Sequence, residues 1–165
     1  MAEYLRTQRL RLRNFKPSDI EGLYDYRNDE RCSRYQRGQL NRRAELEELI
    51  RRKMSDDLSA DGKKQFAIAD IGTDQIVGDL TVYLEEPTIS LGYTISYKHH
   101  RRGYAYELLS ALTEWLHARY PERELVCLTD RENAASMGLL EKLGFHCCGY
   151  EEKIDSVVYE KWPVG

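Results

Sequence analysis

The run KHHRRGYAYELLSAL, Lys98 to Leu112, decides how this chain is read. Lys98, His99, His100, Arg101 and Arg102 stand side by side, all cationic or protonatable, and Gly103 leads from them into a strongly helical stretch. A helix N-terminus presents unpaired N–H groups and a partial positive charge. A glycine in the turn that enters the helix lets a phosphate approach the backbone closely. Arg101, Arg102, Gly103, Tyr104 and Ala105 provide that turn, and the small Ala105 leaves room in the first helical turn. Lys98, His99 and His100 add side-chain charge. The run therefore reads as a seat for a phosphorylated ligand, and more specifically for a diphosphate lying over several successive N–H groups. The competing reading is a solvated basic loop. Placement favours the seat, because the run follows a strand directly and opens the longest helix, where phosphate loops lie in α/β folds. The spacing is neither the G-x-G-x-x-G of a dinucleotide loop nor the G-x-x-x-x-G-K-[ST] of a nucleoside triphosphate loop.

The rest of the chain makes that basic knot a local feature. Across 165 residues, 25 Lys and Arg stand against 28 Asp and Glu, a net charge of −3. The balance gives no bulk attraction to nucleic acid or to an anionic membrane, so neither is an expected partner. Apolar residues at 41% and charged residues at 32% describe a folded globular chain. Its length fits a single domain over residues 1–165. The N-terminal MAEYLRTQRLRLRNF interrupts every apolar run with arginine, and no stretch is long and apolar enough to span a bilayer. A cytoplasmic location is expected. Cys32, Cys127, Cys147 and Cys148 follow no C-x-x-C spacing and read as reduced, small apolar residues. His146 beside Cys147 and Cys148 does not read as a metal site, since adjacent strand residues do not converge on one ion.

Periodicity supplies the architecture. Tyr4–Phe15 alternates, with Leu10, Leu12 and Asn14 on one face and Arg9, Arg11 and Arg13 on the other, which predicts a half-exposed strand. Ser18 and Glu21 form a capping-box pattern opening a helix, and Leu46, Leu49, Ile50 and Met54 mark a second helix over Arg42–Leu58. From Lys64 the period changes to two. Phe66 and Ile68 precede a Gly-Thr-Asp turn, and Ile76, Leu80 and Val82 follow it, as in a hairpin. TISLGYTISY is a further strand, followed by a long helix with Leu108, Leu109, Leu112, Trp115 and Leu116 inward, stopped by Pro121. ELVCLTD reads as a buried strand, and NAASMGLLEKLG as a short helix closed by Gly144. FHCCGYEEKI and SVVYEKW complete the pattern as a strand pair. The order predicts an α/β (α+β) fold with a mixed sheet and helices on both faces.

Three motifs, the loop HRRGYA, the N-x-x-S of Asn133 and Ser136, and E-K-L-G-F, in this order and at this separation, carry a family resemblance, and the opening stretch adds to it. HRRGYA (His100–Ala105) resembles the [QR]-x-x-G-x-[GA] loop that cradles the pyrophosphate of coenzyme A in the GNAT superfamily of N-acetyltransferases. NAASMGLLEKLGF resembles the superfamily's second signature, with Asn133, Ser136 and the Glu141-Lys142-Leu143-Gly144-Phe145 ending. TQRLRLRNFKPSDIEGLYDYRND resembles the opening of the branch that includes the ribosomal-protein-alanine acetyltransferases. His100 stands where Gln or Arg is usual. Leu140 stands where many members carry a tyrosine as general acid, so that role has no counterpart there.

The resemblance implies a mostly antiparallel sheet with one parallel strand pair splaying near Ile95 and Leu128 to hold coenzyme A. It implies acetyl-CoA as cosubstrate, held by the loop His100, Arg101, Arg102, Gly103, Tyr104 and Ala105 and by the backbone of Tyr93 and Ile95. Asn133 bonds the pantetheine arm, caps the following helix, or does both. Ser136 donates a proton to the departing sulfur or is an inert first-turn serine. No metal is implied. No carboxylate is singled out as general base among Glu85, Glu86 and Asp130. The activity implied is direct transfer of acetyl to a primary amine, a protein N-terminus or a small molecule, by a monomer or homodimer. The alternative is a non-catalytic coenzyme A-binding module. Asp25, Asp29 and Glu30 could attract a cationic amine or form a solvated helix face.

Overall fold

In the computed structural model, which describes residues 3–36 and 39–163, the chain runs β1 (Glu3–Arg6), β2 (Leu10–Arg13), α1 (Ile20–Arg27), α2 (Glu30–Ser33), α3 (Arg43–Lys53), β3 (Gly62–Asp70), β4 (Ile76–Glu85), β5 (Thr88–Ile95), α4 (Tyr104–Arg119), β6 (Glu124–Thr129), α5 (Ala134–Lys142), β7 (His146–Glu151) and β8 (Ser156–Lys161). Residues 1–2, 37–38 and 164–165 of the expected domain lie outside the described residues. The strands form one 8-stranded sheet in the order β1-β2-β3-β4-β5-β6-β8-β7. Every neighbouring pair is antiparallel except β5 and β6.

The strand alternation sorts side chains to two helical layers. Phe66, Ile68, Leu80, Val82, Ile89 and Leu91 join Leu108, Leu109, Leu112 and Leu116 of α4 in one buried cluster, which Leu140 of α5 also enters. Ala67 turns to the opposite face, where Phe15, Leu23, Tyr26, Leu46, Leu49 and Ile50 pack from α1, α3 and the segment before them. Trp115 is only half-buried, at the edge of the first cluster. Pro121 follows directly on the C-cap of α4, and Gly144 takes φ +89° beyond the end of α5.

Four expectations are corrected. The alternating Tyr4–Phe15 stretch is a hairpin, not one strand, because the Thr7 amide donates to the Leu10 carbonyl (2.8 Å) and folds β1 back on β2. Arg13 is not on a solvated face: it is 4% exposed and makes paired bonds of 2.9 Å to Asp19. Those two carboxylate contacts, with a third to Asp74 at 2.9 Å, make its burial tolerable. The cap before α1 uses Asp19, which accepts from the Lys16 amide (2.8 Å), rather than the Ser18–Glu21 pair. The second helix ends at Lys53, so Leu58 is buried from the connection that follows it.

Two positions on the sheet give measurable consequences. Gly78 faces Ile95 across β4 and β5, and a Cβ there would lie 2.3 Å from the Thr94 carbonyl oxygen. Gly78→Ala is expected to cost about 1–3 kcal/mol, read as a lower urea midpoint at unchanged m. Glu124 on β6 is held at about 6 by burial first and then by Glu160 of β8. A raised folded pKa means that ionisation opposes folding, so its stability contribution is full below about 4.5 and is lost as pH rises through about 6. The thermal midpoint of Glu124→Gln, minus that of the parent, should therefore grow between pH 4.5 and 7; a pH-independent difference would contradict the assignment.

Candidate active site: a slot between parting strands and the loop at its mouth

The parallel ladder pairs Thr88–Leu91 with Glu124–Cys127 and stops there. Beyond it β5 continues on β4 alone, from Gly92 to Ile95, and β6 continues on β8 alone, through Leu128 and Thr129. The facing backbone edges of residues 92–95 and 128–129 are left without each other, which makes a slot in the middle of the sheet. Leu128, at the parting, is 49% exposed. An extended, amide-containing arm can take up the open backbone groups as an added strand would.

The loop between β5 and α4 lies at the end of this slot. Arg101 (φ 63°) and Gly103 (φ 77°) are both left-handed, and Gly103 caps α4 with no side chain over the helix end. The first intrahelical bond runs from the Glu107 amide to the Gly103 carbonyl (3.0 Å). The amides of Tyr104, Ala105 and Tyr106 therefore have no partner within the helix, as a diphosphate seat requires. A Cβ on Gly103 would meet only Arg9 Nη2, at 3.6 Å, so its place is open space toward the loop's outer side. These features fit the diphosphate of coenzyme A.

The five cationic candidates of the loop divide by role. Arg101 and Arg102 are exposed and make no ion pair among the described residues. Lys98 lies 3.5 Å from Asp25. Burial first, then Arg102 and Lys98, lowers the His99 pKa, and its ring stacks on Tyr104 (5.4 Å between centroids). His100 bonds through Nε2 to the Ile95 carbonyl at 2.7 Å, so that nitrogen carries the proton. Cys32 donates to the same carbonyl (3.4 Å). His100 thus ties the loop to the end of β5.

The first turn of α4 is held from a distance in sequence. Glu107 accepts from Thr7 Oγ1 (2.5 Å), the Arg9 amide (2.9 Å) and Arg9 Nε (2.6 Å). Burial opposes ionisation of this carboxyl, yet the three bonds outweigh it and lower the pKa. A carboxylate in the first turn would repel an anion there; this one is occupied by Arg9, whose guanidinium also covers the Tyr104 ring at 4.5 Å. Pairing over some hundred residues left no mark in the sequence.

At the slot's side, Asn133 caps α5 by accepting from the Ser136 amide (3.2 Å). Ser136 Oγ lies 3.2 Å from the Tyr93 hydroxyl. Burial pushes the Tyr93 phenol up to about 12, with the Ser136 bond opposing the shift. Tyr93 was expected to act through its backbone; its side chain reaches Ser136 because odd residues of β5 face α4 and α5. Leu140 is buried in the core. Asp25 and Asp29, candidates for attracting an amine, are engaged by Tyr97 and Lys98 and by Arg31 respectively. Among the described residues, no group of three or more His, Cys, Asp or Glu is placed to hold a metal ion.

A family model described as an acetyltransferase (GNAT) domain matches residues 9–146. The chain belongs to the GNAT acetyltransferase family, and it is an acetyl-CoA-dependent acetyltransferase. It is 20% identical over 161 residues to the uncharacterized N-acetyltransferase YnaD of Bacillus subtilis, covering 96% of this chain and 92% of that one. A GNAT-family acetyltransferase structure from Bacillus anthracis superposes with a TM-score of 0.83 at 21% identity, covering 96% of this chain and 98% of that one. The ribosomal L7/L12 alpha-N-protein acetyltransferase RimL, solved with coenzyme A, gives 0.78 at 16% identity over 98% of each chain. These structural likenesses bear out the expected mixed, mostly antiparallel fold with its one parallel pair.

The loop makes one requirement testable. Gly103→Val puts a β-branched residue in a left-handed conformation, which costs about 1–2 kcal/mol locally and removes the open approach to the amides. Calorimetry should show acetyl-CoA binding lost or weakened at least about tenfold, with the circular dichroism spectrum retained. Parental affinity in that variant would remove the loop from the site.

Proposed function

We propose that this protein transfers an acetyl group from acetyl-CoA directly to a primary amine, of a small molecule or a protein N-terminus, in a ternary complex. It works as a single domain in the cytoplasm, as a monomer or homodimer. The observation that carries the reading is the parting of β5 and β6, which runs from the phosphate-type loop at α4 to the Tyr93–Ser136 pair.

The backbone of His100–Ala105, above all the amides after Gly103, seats the diphosphate, with Arg101 and Arg102 free to add charge. The open backbone groups of Tyr93 and the Ile95 amide hold the pantetheine arm as a strand would, the Ile95 carbonyl being taken by His100. Bound acetyl-CoA supplies an activated thioester acetyl group. Asn133 organises the start of α5 and so fixes Ser136. The Tyr93 phenol stays protonated at neutral pH and donates to Ser136 Oγ, which leaves the Ser136 hydrogen to face the slot and meet the departing sulfur. A cysteine relay is disfavoured. Burial holds Cys32 at about 11 and Cys127 at about 12, so both are thiols at neutral pH.

Ser136→Ala should lower kcat roughly 100-fold or more with little change in KM for acetyl-CoA. Tyr93→Phe should give a smaller loss, and the double variant should be no worse than Ser136→Ala, because the two hydroxyls act as one unit. Asn133→Ala removes the cap, so it should cost about 1 kcal/mol of stability and weaken acetyl-CoA binding. Steady-state kinetics across pH with a small-amine and peptide panel reads the four variants, and urea denaturation reads the stability of Asn133→Ala. A Ser136→Ala protein turning over at the parental rate throughout would assign the proton to another group.

A further inference from the structure

The opposite face of the sheet from Tyr93 carries a groove of about 290 Å³ between β3, β4, α1, α3 and the chain entering α3. Its walls include Arg27, Arg52, Lys53 and Lys63, and no carboxylate among the described residues lines it. Some of this charge is offset from outside: Arg27 bonds Asp79 (3.3 Å), Lys53 lies 3.6 Å from Asp56, and Arg52 lies 3.8 Å from Glu48. Lys63 is exposed and has no ion pair among the described residues. Two lining residues each keep one buried atom without a partner among the described residues: Nε of Arg27, whose two Nη atoms donate to the Leu40 carbonyl (3.1 Å) and Asp79 (3.3 Å), and Oε1 of Gln65, whose Nε2 donates to Thr81 Oγ1 (3.5 Å). Basic walls along a groove that leads to the slot suit an extended segment carrying acidic side chains.

The groove reaches the reaction slot through β5. Gln39, one of its lining residues, donates to Thr94 Oγ1 (3.2 Å), and Thr94 lies between Tyr93 and Ile95. Thr81 and Gln65 are paired across β4 and β3, and Lys63 lies opposite Tyr83 one step further. Strand rise and spacing put Thr81 about 8 Å from the level of Thr94 and Lys63 about 16 Å from it. An extended peptide covers those distances with its third to fifth residues.

We infer that the groove is the acceptor channel and that it takes an N-terminal peptide segment in extended form, with acidic side chains at about the third to fifth residues from the reacting amine. This rests on the acetyltransferase reading above and narrows its acceptor. Arg52 and Lys63 meet the carboxylates.

The test uses two nine-residue peptides beginning Ser-Ala, one with Glu and one with Lys at positions three to five, each carrying a C-terminal fluorophore. Anisotropy is recorded with the full chain loaded with coenzyme A, and again with the chain alone. The acidic peptide should bind at least about tenfold tighter at low salt, with the ratio shrinking at high salt. Lys63→Glu and Arg52→Glu, both at exposed positions, should each reduce the ratio, and the double variant should bring it to one or reverse it. Equal binding of the twins, a preference for the basic one, or an unchanged ratio in the double variant would overturn the assignment. So would binding of 2-aminoethyl phosphate at the groove without binding of either peptide. Acetyl-CoA calorimetry separates the two readings. Loss of cosubstrate binding would count against the acetyl-transfer reading, while peptide anisotropy on the chain alone still reads the groove.

Discussion

Two strands that start as neighbours and then separate govern most of what this molecule can do. Leaving the facing edges of β5 and β6 without hydrogen-bond partners is costly, because backbone N–H and C=O groups away from water need partners. The sheet tolerates the opening because each strand keeps its outer neighbour, β4 for β5 and β8 for β6, over the whole parted region. Gly78 is part of this arrangement. Its missing side chain lets β4 lie against the Thr94 carbonyl, so the pairing continues to the last residue of β5. The Ile95 carbonyl, at the strand end, is then taken by His100 and Cys32. The slot is a position in the sheet where the backbone is held rigidly and yet left unpaired on one edge.

The basic loop shows how charge is allocated in a chain of net charge −3. Lys98 is directed to Asp25, His99 is packed and biased toward its neutral form, and His100 is an anchor. Only Arg101 and Arg102 are left as free charges beside the open amides of α4. The one carboxylate of that first turn, Glu107, is satisfied by Thr7 and Arg9 and so is removed from competition. Charge density in the sequence overstated charge in the site, and backbone geometry carries more of it.

Which features were legible follows from the range of the interactions. Helix and strand identity follow short periodicities, so α3, α4, α5 and the β3–β4 hairpin were readable from Leu46, Leu49 and Ile50, from Leu108 to Leu116, and from the Gly-Thr-Asp turn. The glycine at the mouth of α4 was readable because a local backbone need selects a residue type. The β1–β2 hairpin was missed because Thr7-Gln8-Arg9 lacks glycine, asparagine or proline, and the alternation continues through it. Arg13 was placed in solvent because the partners that bury it, Asp19 and Asp74, are recruited from a turn and a distant hairpin. The Tyr93–Ser136 contact and the Glu107 clamp join residues that no pattern relates.

Adjacent residues of β5 look in opposite directions, and this sets the logic of the site. Tyr93 faces α4 and α5, toward Ser136, while Thr94 faces the groove beneath α1 and α3. On the proposed reading, the donor and its proton source occupy one face and the acceptor arrives from the other, meeting only where the strands part. The Tyr26–Arg27–Asp79 cluster lies under that meeting point. Asp79 is 4% exposed, pairs with Thr94 across the ladder, and accepts from both Tyr26 and Arg27. A buried ionic group of this kind adds little net stability, since desolvation offsets the attraction. Its effect is positional. It fixes α1 on β4 with both Nη atoms of Arg27 bound, one to Asp79 and one to the Leu40 carbonyl of the chain entering α3. The same contacts that hold the helix to the sheet therefore also hold Leu40, and with it the wall of the groove through which the acceptor would pass.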